Sequence, residues 1–351
     1  MRLALLTFDF PPTVGGVQQY LWEIARRLTR EHEVVVVTPV PGPPADGPFT
    51  RRMIPSTHPL AFLRALADIR PDWVIVGHVH PRMVIPAMMW APGRWAAIAY
   101  GNDVLALQRR WHRPIVHSLL RRARPLIAIS QATARRMRQW GVPPAVIVRP
   151  GVDPDRFTPP SSPPPPPWKL LTVARLVSRK GIDTVLAAIA RLRAHFPDLQ
   201  YYIVGEGPDR ERLGQLVVQY QLQGCVHFMG YVSDEALPSL YRKAHIFVMT
   251  PREEPESVEG FGSVYLEASA SGLPVVAARS GGASEAVIPE QTGLLVPPDD
   301  PDALAQALQR LLANPTLRQT LGARGRQWVE REMNWERAAR EMQRALEQVW
   351  S

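Results

Sequence analysis

Two glutamates, Glu259 and Glu267, stand eight positions apart in the stretch EGFGSVYLE. Eight helical residues rise about 12 Å, further than the roughly 5–9.5 Å between the two carboxylates of a glycosidase. The pair therefore reads as two acceptors that bracket one long ligand, and not as the acid and base of hydrolysis. In the longer run VMTPREEPESVEGFGSVYLEASASG, a strand leads through a loop into a helix starting near Gly262 or Ser263. Amides of Phe261, Gly262, Ser263 and Val264 at that start would cradle a phosphate, helped by the helix dipole. Glu259, in the loop, would accept hydrogen bonds from sugar hydroxyls on one side of it, and Glu267, a turn further in, from a ribose on the other. Hexose, diphosphate, ribose and base in series are the layout of a nucleotide sugar. Two glutamates at this spacing are also what an ordinary exposed helix offers.

Cations for such a ligand are at hand in VARLVSRKG, where Arg175 and Lys180 follow an apolar run. Open α/β sheets bind ligands in loops after the carboxyl ends of strands. An arginine fork and a lysine point charge there can neutralise a diphosphate; a plain surface loop would also carry them. Near the N-terminus, FPPTVGGVQQYL sets Gly15 and Gly16 before a helical stretch, so amides could face an anion, although a turn needing positive φ explains the same pair. No G-x-G-x-x-G follows the first strand, which argues against a nicotinamide oxidoreductase. No H-x-x-H or clustered Cys/His set is visible, so no metal site is expected.

These loops need a scaffold. RLALLTF, EVVVVT, DWVIVG, WAAIAY and PLIAIS are short apolar runs separated by amphipathic stretches, and the same grammar restarts at KLLTVAR and runs through LQYYIVG, CVHFMG, AHIFVMT, LPVVAA and TGLLVPP. Such alternation predicts βαβ units and parallel sheets covered on both faces. The expected division is a domain over 1–158, a proline-rich linker PPSSPPPPP over 159–167 and a second domain over 168–334. The last helix, 335–351, carries Trp335, Ala338, Ala339, Met342, Leu346 and Val349 on one stripe, which must be buried, and packing back on the first domain is the expected solution.

Charge is distributed unevenly. Residues 1–160 hold 21 Arg, no Lys and 10 acids, whereas residues 161–351 hold 17 Arg, 3 Lys and 22 acids. A basic first half suits an acidic partner, either a phospholipid surface or a phosphorylated substrate. The segment QRRWHRPIVHSLLRRARP at 108–125 sets Arg109, Arg110, Arg113, Arg121, Arg122 and Arg124 around Trp111, Ile115, Leu119 and Leu120. It reads as a basic amphipathic contact with an anionic membrane, or as a core helix with a solvated arginine face. No nucleic-acid module or aromatic platform accompanies the charge, so nucleic acid is not expected. The single cysteine, Cys225, suits a reducing compartment, and no apolar run of about 18 residues is present to span a bilayer. The expected location is cytoplasmic, peripheral at the inner membrane face.

In combination, GGVQ after the first strand, R-x4-K-G at Arg175 to Gly181 and E-x7-E at 259–267 resemble the retaining family-4 glycosyltransferases. GVDPDRF at 151–157, GEGPDRERL at 205–213 and SGGASEAV at 280–287 agree with that family. FDFPPTVGGVQQYL and VEGFGSVYLEASASGLPVVAARSGGASE look most like its phosphatidylinositol mannosyltransferases. The resemblance implies a GT-B fold, two Rossmann-like, doubly wound parallel-sheet domains facing a central cleft. It implies transfer of mannose from GDP-mannose to a lipid or lipid-linked acceptor, by a front-face substitution with no bound cofactor or metal. Carried over by motif, Gly15 and Gly16 lie by the donor phosphates, Arg175 and Lys180 hold the diphosphate, Glu259 binds the hexose, and Glu267 binds ribose. Gly205 belongs to the donor side as well, and backbone around Gly230 to Val232 reads the base. Gln18 falls on the acceptor side. One departure stands out: where the family has a histidine before glycine, this chain reads AIAYGNDV, with Tyr100 in that place and Asn102 and Asp103 following. Tyrosine can donate a hydrogen bond there but carries no proton near neutral pH, and His78 and His80 in VGHVHP are the candidates to compensate.

Two other readings stay open at this point. One is a family-4 enzyme that uses a UDP-sugar or a soluble sugar or sugar-phosphate acceptor. The other is a non-catalytic two-domain sugar-binding protein.

Overall fold

The computed structural model describes residues 1–42, 47–108, 113–255 and 257–350. It divides into two compact units, Met1–Gly151 with Trp335–Ser351, and Val152–Asn334. Each is a parallel α/β sheet.

In the first unit the strands are β1 (Arg2–Leu6), β2 (Glu33–Thr38), β3 (Thr50–Met53), β4 (Trp73–Val76), β5 (Trp95–Ala99), β6 (Leu126–Ala128) and β7 (Val146–Ile147). Their order is β3-β2-β1-β4-β5-β6-β7, every pairing parallel. The chain thus winds outward from β1 through β2 and then outward again from β4, with the switch between β1 and β4. Leu3 to Leu6, Val34 to Val37 and Trp73 to Val76 are buried throughout, as parallel strands covered on both faces must be. The helix Trp335–Trp350 belongs to this unit. Trp335, Ala338, Ala339, Met342, Ala345 and Leu346 are its buried side. Trp335 meets the Tyr20 ring edge-on at 6.0 Å, and Glu336 pairs with Arg27 at 2.9 Å and Arg30 at 2.5 Å.

The second unit holds β8 (Lys169–Val173), β9 (Gln200–Val204), β10 (Val226–Gly230), β11 (Ile246–Met249), β12 (Val275–Ala278) and β13 (Gly293–Val296). Their order is β10-β9-β8-β11-β12-β13, again all parallel, with the switch between β8 and β11. Cys225 is buried in its core.

The boundary falls ahead of the expected one. Residues 152–167 belong to the second unit, because Arg326 Nη1 donates to the carbonyls of Pro154, Phe157 and Ala270 at 2.6, 2.6 and 2.9 Å. Phe157 is buried edge-on against Tyr241, and the Pro164 carbonyl lies 2.9 Å from His245 Nε2. The chain is therefore tied to the second unit just ahead of the proline run, at Pro154 and Phe157, and within the run at Pro164. Among the described residues no helix is long and apolar enough to cross a membrane. In the basic segment at 108–125, Arg109, Arg110 and Trp111 lie outside the described residues, as do the side chains of Arg113 and Ile115; Leu119 and Leu120 are buried and Arg121, Arg122 and Arg124 exposed.

Candidate active site

The loops after β8 and β11 leave the second sheet at its switch, where the crevice outside the strand ends is built by the topology itself. A 3₁₀ turn, Ser178–Lys180, follows β8 and ends on Gly181 at φ 66°. Glycine is required there: a Cβ would lie 1.8 Å from the Thr250 carbonyl oxygen just past β11. The two loops are stitched by Thr250 Oγ1 donating to the Gly181 carbonyl at 3.1 Å and Arg252 N–H donating to the Arg179 carbonyl at 2.8 Å. The Arg252 guanidinium in turn grips Asp183.

Held this way, Lys180 Nζ and Arg179 Nη1 donate to the same oxygen, Glu259 Oε2, at 2.6 and 2.7 Å. Burial alone would raise the Glu259 carboxyl, but Lys180 and Arg179 outweigh it and hold the group below the ordinary carboxylate range. Burial pulls the Lys180 ammonium down, with Glu259 opposing that shift. A carboxylate with two cations on one oxygen is ionised, so the cluster carries one net positive charge. From the other side, Gly282 N–H donates to the Glu259 carbonyl at 2.9 Å, and a Cβ at Gly282 would lie 2.0 Å from the Gly260 carbonyl oxygen. The SGGASE loop after β12 therefore clamps the backbone that carries Glu259.

The helix after this loop is Ser263–Ala270, preceded by Gly262 at φ 87°, and no side chain caps it. Its first amides are the orphan donors of any helix start. Phe261 is buried, while Gly262, Ser263 and Val264 are half-buried. Glu267 is buried and accepts from Tyr241 Oη at 2.8 Å. Burial pushes its carboxyl up to about 7, against the pull of that hydroxyl. At the strand ends on the other flank, Gly205 N–H donates to the Gly230 carbonyl at 2.8 Å, and Leu176 N–H to the Glu206 carbonyl at 2.8 Å. Gly205 has φ 121°, and a Cβ there would meet the Ala174 carbonyl oxygen at 2.1 Å. Arg175 projects from this junction as an exposed side chain, and Val232 is half-buried.

The structure thus joins Lys180 to Glu259, whereas Arg175 is exposed. Arg179, adjacent to Lys180 in SRKG, and Tyr241, the partner of Glu267, are the members that sequence reasoning missed. A second basic residue beside Lys180 was the only signal for the first, and none marked the second.

The remaining residues lie in the first unit. Gly16 opens the helix Gly16–Leu28, and Gln18 folds back so closely that a Cβ on Gly15 would lie 2.4 Å from its Oε1. His80 Nδ1 accepts from Arg82 N–H at 3.2 Å and so caps the helix Pro81–Trp90. Asp103 Oδ1 accepts the amides of Tyr100, Gly101 and Val104 at 3.0, 2.9 and 2.9 Å, folding the turn into which Asn102 leads. Burial raises the Asp103 carboxyl, opposed by His78 and by the amides of Tyr100, Val104 and Val79. His78 Nε2 stands 3.1 Å from Asp9 Oδ2, a contact that lowers the Asp9 carboxyl against its partial burial. Among the described residues no group of three or more His, Cys, Asp and Glu side chains is placed to hold a metal ion.

Two doubly wound units in tandem, each with its loops gathered at a switch between strands, define the architecture of a GT-B glycosyltransferase. The family model for glycosyl transferases group 1 matches residues 155–328, and the model for glycosyltransferase family 4 matches residues 14–156. The GDP-mannose-dependent alpha-(1-6)-phosphatidylinositol monomannoside mannosyltransferase of Mycolicibacterium smegmatis is 32% identical, over 95% of each chain. Among solved structures, sucrose-phosphate synthase from Thermosynechococcus elongatus superposes with a TM-score of 0.80 at 27% identity, over 99% of each chain. Anabaena HepE in complex with UDP and glucose does so at 0.80 and 20% identity, over 99% of this chain and 100% of that one. The chain belongs to the family-4 glycosyltransferases.

Proposed function

We propose that the protein transfers mannose from GDP-mannose, with retention at the anomeric carbon, to a phosphatidylinositol mannoside or similar lipid-linked acceptor at the cytoplasmic membrane face. The observation that carries the reading is the convergence of Lys180 and Arg179 on Glu259 at the sheet switch. In the reading, the two cations and the exposed Arg175 take the diphosphate, with the amides at Phe261 to Val264 on its far side. Glu259 accepts hydroxyls of the hexose, and Glu267 those of the ribose. Gly205 lines the donor pocket, and backbone from Gly230 to Val232 faces the base. In the first unit, the reading gives the Gly15–Gly16 amides a phosphate-binding role and Gln18 an acceptor-binding role.

Chemistry follows from charge. Negative charge develops on the departing diphosphate as the glycosidic bond breaks, and preorganised donors in a buried site stabilise it without reorganising. The cations meet that charge in place of a divalent ion, so chelation with EDTA is expected to leave the rate unchanged. The mannosyl and lipid assignments draw on the mycobacterial relative, and membrane contact draws on the charge of residues 1–160.

The test is incubation with GDP-mannose, UDP-glucose or ADP-glucose and phosphatidylinositol monomannoside in micelles, with products read by mass spectrometry and anomeric configuration by NMR. A single mannose added from GDP-mannose is expected. Transfer from UDP-glucose alone, or to soluble sugars alone, would replace the donor or acceptor assignment. Binding of nucleotide sugar without transfer or slow hydrolysis would make the protein a sugar-binding module. Sedimentation with anionic vesicles tests the membrane contact.

A further inference from the structure

We propose that a cavity on the open face of the second sheet, lined by Lys169, Leu171, Tyr202, Met229, Leu240 and Lys243, binds a small amphipathic anion: an acyl or aryl body carrying one carboxylate. The proposal goes beyond the transferase reading and does not depend on it.

Strand alternation sends Leu170, Tyr201, Ile203 and Val226 into the core of the second unit, so Lys169, Leu171, Tyr202 and His227 belong to the other face. The register carries that face across three strands, with Leu171 opposite Tyr202 and Tyr202 opposite His227. Parallel sheets are normally covered on both faces. Here the cover thins toward the edge strand. Leu171 on β8 is 2% exposed, Tyr202 on β9 is half-buried, and Met229 on β10 is 43% exposed. Leu240 and Lys243 come from the helix Leu237–Lys243 and form a further wall. The cavity so enclosed measures about 220 Å³. Its Tyr202 wall is fixed: His227 stacks on the ring at 4.8 Å and 25°, and His227 Nε2 is 2.7 Å from Gln200 Oε1.

Charge is the second observation. Lysine is scarce, three among 41 basic residues, and two of the three line this cavity. The third, Lys180, is paired with Glu259, and Arg191, Arg212, Arg252 and Arg310 of the same unit each hold an acid. Among the described residues neither Lys169 nor Lys243 has a carboxylate partner. Cations without an acid occur elsewhere on the unit, Arg175 among them. What sets these two apart is the apolar cavity they share.

Size and charge together name the ligand class. An apolar cavity of about 150 Å³ takes benzene, so this one takes a ring or short chain with an arm. A neutral hydrocarbon would desolvate the ammonium groups and give them no acceptor. An inorganic anion would leave the Leu171, Tyr202 and Met229 surface wet. A carboxylate on an apolar body satisfies both, with charge-assisted hydrogen bonds from the lysines. The occupant rests against the helix that presents Tyr241 to Glu267, beside the donor crevice and outside it.

The test titrates the full chain with 4-phenylbutyrate and octanoate, and with 4-phenylbutanol and octanol as their neutral counterparts, by isothermal titration calorimetry with and without GDP. A carboxylate is expected to bind one to one, at least about tenfold tighter than its alcohol, and the tighter of the two acids names the body. The double variant Lys169→Ala, Lys243→Ala should lose at least about tenfold in affinity, and Met229→Trp, which fills the cavity at its exposed rim, should bind neither acid. Equal affinity for acid and alcohol, an unchanged affinity in the lysine variant, or no saturation at millimolar concentration overturns the proposal. Displacement of the acid by GDP would put it in the donor crevice and also overturns it. Binding of the acid by a protein that takes no GDP supports the site and counts against the transferase reading alone.

Discussion

Exchange of Glu259 for Gln tests the cation cluster more sharply than removal of either cation. The Glu259, Lys180 and Arg179 side chains are 9%, 11% and 17% exposed, so their charges interact with little screening. Deleting one partner of a buried ion pair costs about 3–5 kcal/mol, because the other charge is left uncompensated, and Glu259→Ala belongs in that range. Glutamine keeps an acceptor oxygen with two lone pairs, so both donors retain a target and lose only charge assistance, about 1 kcal/mol each. With the residual unpaired charge, Glu259→Gln should cost about 2–3 kcal/mol. In a unit of this size each kcal/mol lowers Tm by about 2–4 °C, giving a drop of about 5–10 °C in the transition of the second unit by calorimetry.

Nucleotide then supplies the missing charge. GDP stabilises the fold it binds by mass action, and its diphosphate brings the cations the anion that glutamine withholds. The GDP-induced rise in Tm should therefore be as large in Glu259→Gln as in the wild type, or larger, and should disappear in Lys180→Ala. Transfer activity of Glu259→Gln should fall by about 10²–10³ even with GDP bound. A Glu259→Gln melting curve that overlays the wild type, or a Lys180→Ala protein that keeps the full GDP shift, would refute the reasoning.

Glu267, raised to about 7 by burial from an ordinary 4.5, favours its protonated form when folded. The stability this contributes is complete below about pH 4.5 and is lost as pH rises through 7, about 3 kcal/mol in all; the Tm of Glu267→Gln should climb relative to wild type between pH 5 and 8, and parallel curves would sink the assignment. Glu259, held low, behaves in the opposite sense: its contribution is present above pH 4.5 and is lost as pH falls through its lowered value, so Glu259→Gln should approach the wild-type Tm in acid. Arg179→Ala is expected to weaken GDP binding and to lower apo stability, whereas exposed Arg175→Ala should weaken GDP binding alone, as isothermal titration and calorimetry together would read. Trp335→Ala, which empties the contact with Tyr20, should cost about 3–5 kcal/mol in the transition of the first unit only.

Strands were legible wherever the chain carries a short apolar run, which covers β1, β2, β4 to β6 and β8 to β13, most of them buried on both faces. The strand β3 was not, because TRRM lies at the sheet edge with only Arg51 buried and so lacks the apolar signature. The two residues of β7 are too few to show a pattern. The proline run read as a linker because composition reports backbone stiffness, whereas Arg326, which ties 154–157 to the second unit, stands about 170 positions away in sequence. At the site, residue types were legible and pairings were not. Whether Arg175 or Arg179 joins Lys180 is decided by a 3₁₀ turn fixed by Gly181 against Thr250, a tertiary contact with no local trace.

The two switches carry different electrostatics, and the difference bears on what each can hold. At the second, Lys180 and Arg179 against Glu259 leave one net positive charge in a buried crevice, which favours a ligand with at least one negative charge and disfavours a neutral one by desolvation. At the first, Asp9 Oδ2 stands 3.1 Å from His78 Nε2 and the buried Tyr100 hydroxyl has no hydrogen-bond partner, while the Arg51 guanidinium lies over the Phe10 ring and donates to the Pro11 carbonyl. Transfer of a sugar from a diphosphate to an alcohol asks different things of its two sites, since the leaving group gains negative charge while the nucleophile enters neutral.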